Sequence, residues 1–173
     1  MEYKITLERS LKVSWGIWSA LLIPFAIIVI LTLRYGFENN YFYWFIFFEC
    51  ALLPIAILCI IPHLNYLLLN KNDRLKFDFK TNAWTFQASN SIVNFQKSEI
   101  DKIICYTKHW KLHGQFFLMP WDDYSHCIIT LRNGKSFILS SLMCDLDVIQ
   151  GMSETIEFRP SFYRTGFGLK HHI

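Results

Sequence analysis

Two long apolar segments joined by a short polar loop constrain this chain more than any other feature. Residues 13–33 contain no charged side chain and are closed by Lys12 on one side and Arg34 on the other. At about 1.5 Å per residue, a helix over this run covers the ~30 Å hydrocarbon core of a bilayer. About a dozen of its residues are Val, Ile, Leu or Phe, each favouring insertion by about 0.3–0.6 kcal/mol near a helix centre. The second segment, residues 41–69, is longer and holds one acid, Glu49. Pro62 is the expected break, which puts the second span over residues 42–61 and leaves 63–69 as a turn or two of helix leading out. A signal peptide is the competing reading of the first segment, but the apolar run is too long and no small-residue cleavage site follows it. The sequence predicts a transmembrane α-helical hairpin over residues 1–70, with the lipid bilayer as its first partner.

Charge sets the expected orientation. Lys4, Arg9 and Lys12 accompany the first segment and Lys71, Arg74 and Lys76 follow the second, whereas the loop between holds Arg34 offset by Glu38. Basic residues gather on the cytoplasmic side of spans. The expected location is therefore the inner (cytoplasmic) membrane, multi-pass, with both termini cytoplasmic. The five cysteines form no CxxC pair, and an odd count without framework spacing predicts free thiols in a reducing compartment. A net charge of +3 spread over scattered Lys and Arg gives no basic stripe, so nucleic acid is not an expected partner.

Of 173 residues, those beyond the hairpin suffice for one small domain of about 100 residues. After Asn70 the period changes from helical to two. Leu75, Phe77 and Phe79 alternate with Lys76, Asp78 and Lys80, and Trp84, Phe86 and Ala88 alternate again after a turn over residues 80–82. Short strands are expected over residues 92–95 and 103–110. Residues 124–131 and 135–142 flank Asn133-Gly134, a strong hairpin signal, and a two-residue turn there places Ile129 opposite Ile138 and Ile128 opposite Leu139. From Asp145, an N-cap candidate, apolar residues at Leu146, Ile149, Met152 and Ile156 mark one closing helix. The expected soluble part is α+β: a small antiparallel β-barrel or sandwich over residues 71–158, closed by one C-terminal helix, with a tail at 159–173.

This order resembles bacterial membrane-anchored pleckstrin-homology-like domain proteins. The residues that carry the resemblance are the early hairpin of residues 75–86, the step through Phe95, Ser98, Glu99, Ile100 and Ile103, and the run Ile128-Ile129-Thr130-Leu131-Arg132-Asn133-Gly134-Lys135. The closing strand and helix, residues 137–156, complete it. The likeness covers about residues 70–158 and is one of pattern. It implies a fold and a non-enzymatic interaction role, and it supplies no binding residues. The insertion between Trp110 and Tyr124 departs from the family.

Few residues suggest chemistry. Glu49 is the one acid within the apolar segments and their sharpest polar residue. An acid at a bilayer centre costs about 2.5–3.5 kcal/mol, but one about two turns from the outer end can snorkel, be protonated, or bond the first helix or a second protomer. An assembly role is expected ahead of proton handling. His109, His113, His126 and Cys127 have no HExxH or paired CxxC around them, and no metal site is expected. No GxSxG, P-loop or GxGxxG is present, and Asp122-Asp123 are neighbours whose side chains point apart on an extended chain. Neither catalysis nor a cofactor is expected. The oddest stretch of the soluble part is residues 111–121, with Phe116, Phe117, Leu118, Met119 and Trp121. It either packs over an open end of the barrel or touches the membrane surface or a partner, since exposed apolar patches mark such sites.

The expected function is a non-catalytic, membrane-anchored interaction module whose cytoplasmic domain binds a protein partner or self-associates. One alternative is a module that recognises lipid headgroups, against which the scattered Lys and Arg count. The other is a small subunit of a membrane transport or enzyme complex using Glu49.

Overall fold

Thr6 starts the first long helix: its backbone is extended and its hydroxyl accepts the Arg9 N–H at 3.2 Å, an N-cap arrangement. Helix α1 runs over Leu7–Tyr35, with Glu8 in its first turn and Arg34 in its last, each placed to favour the helix dipole. Gly36 closes it with a φ of 74°, its N–H bonding Thr32 O at 2.9 Å. Helix α2, Tyr41–Asn70, packs back on α1. This computed structural model describes residues 1–36, 41–88, 91–107, 124–153, 155–160 and 171, and only part of the side chains of the two long helices.

Pro54 and Pro62 both lie inside α2, so the break expected at Pro62 does not occur. The last turns of the helix bury Tyr66 and Asn70 against the strands that follow, and this packing outweighs the backbone hydrogen bond a proline removes. Large apolar side chains stay exposed along both helices, among them Leu22, Ile23, Ile30 and Leu33 on α1 and Phe47, Leu53 and Ile57 on α2. Among the described residues no helix is long and apolar enough to cross a membrane, so the predicted spanning role rests on the sequence.

Outside the two long helices the described strands form two four-stranded sheets. In the first, β1 (Glu2–Tyr3), β2 (Arg74–Asp78), β3 (Ala83–Ala88) and β4 (Ser91–Gln96) lie in chain order, each antiparallel to its neighbour. The segment ahead of α1 thus pairs with the strand that follows α2, and the strands bracket the hairpin. The alternation read from the sequence holds in part: Leu75, Trp84, Phe86, Val93 and Phe95 are buried and Arg74, Lys76 and Asp78 exposed, but Phe77 is only partly buried and Phe79, expected on the same face, lies beyond the end of β2 and is exposed. Asp78 shapes the turn into β3 by accepting the Lys80 N–H at 3.0 Å and the Thr81 hydroxyl at 2.8 Å, and Asn82 takes the positive φ of 50°. In the second sheet β5 (Ile100–Thr107), β6 (His126–Leu131), β7 (Ser136–Ser140) and β8 (Ile156–Pro160) stand in the order β7-β6-β5-β8, with β8 parallel to β5. Neither sheet closes into a barrel among the described strands. The two share a core in which the Phe137 ring stacks on Phe86 at 4.4 Å and meets Phe95 at 5.2 Å.

Three local expectations need correction. The Asn133-Gly134 hairpin forms, but Ile128 faces Ile138 and Ile129 faces Phe137, one residue off the predicted register. A two-residue type I′ turn needs positive φ at both residues, and here Gly134 has it (84°) while Asn133 does not. The Gly134 N–H bonds Leu131 O and the Leu131 N–H bonds Lys135 O, both at 2.9 Å, which makes a three-residue loop with Gly in the left-handed position. The closing helix is also shorter than expected: α3 covers Leu146–Met152, and Ile156 opens β8 opposite Ile103. Gly151 weakens the helix and the extended Ser153 ends it.

The third correction concerns the cysteines. Cys105 and Cys127 are Cα partners on β5 and β6 and are joined by a disulfide, whereas Cys50 is free and exposed and Cys144 is free and buried. The 22-residue separation matches no framework motif; only the strand pairing brings the two together. Closing a loop of that length removes unfolded-chain entropy worth about 3 kcal/mol. Reduction of the full chain is therefore expected to lower its denaturation midpoint by a matching amount, measured with and without a thiol reductant.

Candidate functional site

The start of α1 and the end of α2 meet the sheets at one place, the foot of the hairpin, and the polar side chains gather there. Sequence alone scatters them over more than a hundred positions.

His63 lies in the middle of this foot. Its Nε2 is 2.9 Å from Ser10 Oγ on α1 and its Nδ1 is 2.8 Å from Tyr124 Oη, just ahead of β6. One ring thereby ties together both helices and the second sheet. One turn along α2, Tyr66 Oη lies 2.9 Å from Nδ1 of buried His126, and the His126 ring stacks on Tyr106 at 4.9 Å. Tyr66, Tyr124 and Leu142 form a small buried cluster with Ile5, Val13 and Leu67 packed on it. Burial shapes the titration of this group. It pushes the Tyr66 phenol up and holds His63 below the usual histidine value, because the charged form of each loses its water.

Arg9 and Asn70 flank the histidine. Arg9 grips Asp145 with both terminal nitrogens, at 2.6 and 3.2 Å, and its Nε donates to Ser141 O at 3.0 Å. Asp145 occupies the N-cap position of α3 as expected, but its carboxylate serves Arg9 and caps nothing. Asn70 Nδ2 donates to Ile138 O at 2.9 Å and to Asp73 Oδ2 at 2.8 Å, while its Oδ1 accepts the Ser140 N–H at 3.1 Å. The amide stands where the next strand would and satisfies the open edge of β7. His171 Nδ1 accepts the Ile138 N–H at 3.2 Å on the same edge. Cys144 is buried close by, its thiol pushed up to about 12 by loss of water.

Beside the foot opens a cleft of about 340 Å³ whose lining includes Lys4, Lys71, Asn72, Arg74 and Gln87. Asp73 is the one acid among its described lining residues, and Glu2 reaches Arg74 at 3.6 Å from outside the cleft. Lys4 and Lys71 are far apart in the chain and line the same cleft, so basic residues that read as scattered form a group.

The residues singled out from sequence fall mostly elsewhere. Phe116, Phe117, Leu118, Met119 and Trp121, with His109, His113, Asp122 and Asp123, lie outside the described residues, as does the side chain of Glu49 on α2. His126 and Cys127 are adjacent on β6 but make no common site: the sulfur is bonded to Cys105 and the imidazole to Tyr66. Among the described residues no group of three metal-binding side chains assembles. Sequence reading missed Ser10, His63, Tyr66, Asn70 and Tyr124. Only the polarity of His63 and Asn70 at the end of an apolar run signalled them.

No curated protein and no solved structure matches the chain. A family model described as PH domain matches residues 2–152, a stretch that takes in β1, both long helices and every element through α3. With well over half of its length matched, the chain belongs to the PH domain family.

Proposed function

We propose that the chain is a non-catalytic interaction module held at a membrane by its helical hairpin, with the paired sheets binding a protein partner or a second copy. PH-domain membership supports an interaction role in place of catalysis. The observation that carries the anchoring is the surface of α1 and α2: two helices of 29 and 30 residues keep large apolar side chains outward along most of their length. Water does not favour such a surface and a bilayer does. The uncharged run of residues 13–33 supports a first span, and residues 42–61 a second. Glu49 falls within the second and is assigned to helix–helix assembly. Phe116, Phe117, Leu118, Met119 and Trp121 are assigned to contact with the bilayer or partner.

The bias of Lys4, Arg9, Lys12, Lys71, Arg74 and Lys76 around the foot favours a cytoplasmic domain. The Cys105–Cys127 disulfide weighs the other way, since such bonds persist in oxidising compartments. A reporter fused to the C-terminus and active only in the cytoplasm is expected to give signal; signal from a periplasm-active reporter in its place reverses the orientation.

A second reading, recognition of anionic headgroups, is favoured by the cleft, where Lys4, Lys71 and Arg74 against Asp73 leave a formal surplus of positive charge. Affinity purification from mild detergent tests the first reading. A partner or second copy is expected to accompany the full chain and to be absent from residues 1–70 alone. A partner that follows the hairpin alone contradicts it.

A further inference from the structure

We propose that His63 is a proton-operated latch between the helical hairpin and the sheets: neutral, it locks them together, and protonated, it releases them. The inference rests on the junction between hairpin and sheets, and holds whether or not the hairpin sits in a membrane.

The geometry carries it. His63 Nε2 and Nδ1 each face a hydroxyl, Ser10 on α1 and Tyr124 ahead of β6, at 2.9 and 2.8 Å. A neutral imidazole donates from one nitrogen and accepts at the other, and a hydroxyl plays either part, so the set of three is satisfied. An imidazolium donates from both nitrogens and forces both hydroxyls to accept, and it also puts a charge where water is short. Among the described residues no carboxylate bonds or pairs with the ring. On α1 the nearest charged side chain along the chain is Arg9, itself cationic and already bound to Asp145 and Ser141 O. On α2 and ahead of β6 the neighbours are the phenols Tyr66 and Tyr124, and His126 lies behind Tyr66. His63 is only half-buried, so a protonated ring reaches water by swinging out, and leaving breaks both bonds at once.

The sign follows from burial, which holds the latched ring below the ordinary histidine value near 6.5. A released ring regains the ordinary value. The latch is fully engaged above about pH 6.5. As pH falls from there towards the lower value of the latched ring, the equilibrium for release rises, by at most about tenfold per pH unit.

Hydrogen exchange of the full chain in detergent micelles, read by mass spectrometry at about pH 7.5 and about pH 5.5 and corrected for intrinsic rates, tests this. In the wild type, protection over the start of α1 and over β6 is expected to fall at the lower pH, by up to about tenfold. His63→Gln is expected to show the same protection at both. Equal wild-type protection at the two pH values overturns the latch, and so does an equal fall in His63→Gln. Should that variant not fold, an NMR titration of the wild-type His63 ring decides: a midpoint below the ordinary histidine value supports the latch, and one at or above it overturns it.

Discussion

Replacing Phe137 with alanine is expected to destabilise the folded chain by about 3–5 kcal/mol, the range for removing a fully buried aromatic ring. Phe137 has no exposed surface and lies between the sheets, stacked on Phe86 from β3 and tilted against Phe95 from β4. Its loss opens a cavity lined from both sheets, where neither can collapse without moving the other. Against a typical total of about 5–15 kcal/mol, such a loss removes a third or more of the stability. Phe137→Leu keeps most of the volume and is expected to lose less than about 1.5 kcal/mol. Denaturant unfolding followed by tryptophan fluorescence measures both. An alanine variant as stable as the leucine variant contradicts a core shared between the sheets.

Asn70→Leu is expected to be nearly as damaging, for a different reason. Leucine fills a similar volume but abandons Ile138 O, the Ser140 N–H and the Asp73 carboxylate, all bonded by the amide. Each buried polar group left unpaired costs about 1–3 kcal/mol, which points to a combined loss of about 3–5 kcal/mol. Asn70→Asp is not expected to rescue the position. It keeps an acceptor for Ser140 but loses the donor to Ile138 and sets a second carboxylate beside Asp73. The same unfolding measurement checks both variants, and a leucine variant at wild-type stability contradicts the role given to Asn70 on the β7 edge.

What the sequence made legible was whatever its own period carries. The helical segments and the alternation of Leu75, Trp84, Phe86 and Phe95 read directly, because one buried face imposes a period of two on a strand. The Asn133-Gly134 hairpin was legible as a hairpin, yet its register was not. Type I′ and three-residue turns share the same dipeptide and differ in the φ of Asn133. Ile156 fits the helical spacing of Leu146, Ile149 and Met152, and its parallel pairing with Ile103 is a long-range contact with no local signature. The disulfide was hidden for the same reason, since Cys105 and Cys127 meet only through the β5–β6 register. The junction was the least legible part. Ser10, His63 and Tyr124, like Lys4, Lys71 and Arg74, are ordinary residues singly, and become a site only when the hairpin brings the two ends of the helical segment back together.

The central claim is that the exposed surface of the hairpin faces lipid, and Cys50 tests it most directly. This thiol is free and exposed on α2, within the residues 42–61 assigned to the second span. Intact membranes holding the full chain are treated with a water-soluble maleimide that does not cross bilayers, and modification is read at Cys50 by peptide mass spectrometry. A cysteine introduced at exposed Gln96 on β4, with the treated face of the membrane varied, serves as the accessible control. Labelling at Gln96→Cys with Cys50 unmodified until the membrane is dissolved in detergent is the predicted result. Cys50 labelled as fast as Gln96→Cys in intact membranes, or the chain recovered free of membranes altogether, contradicts the account.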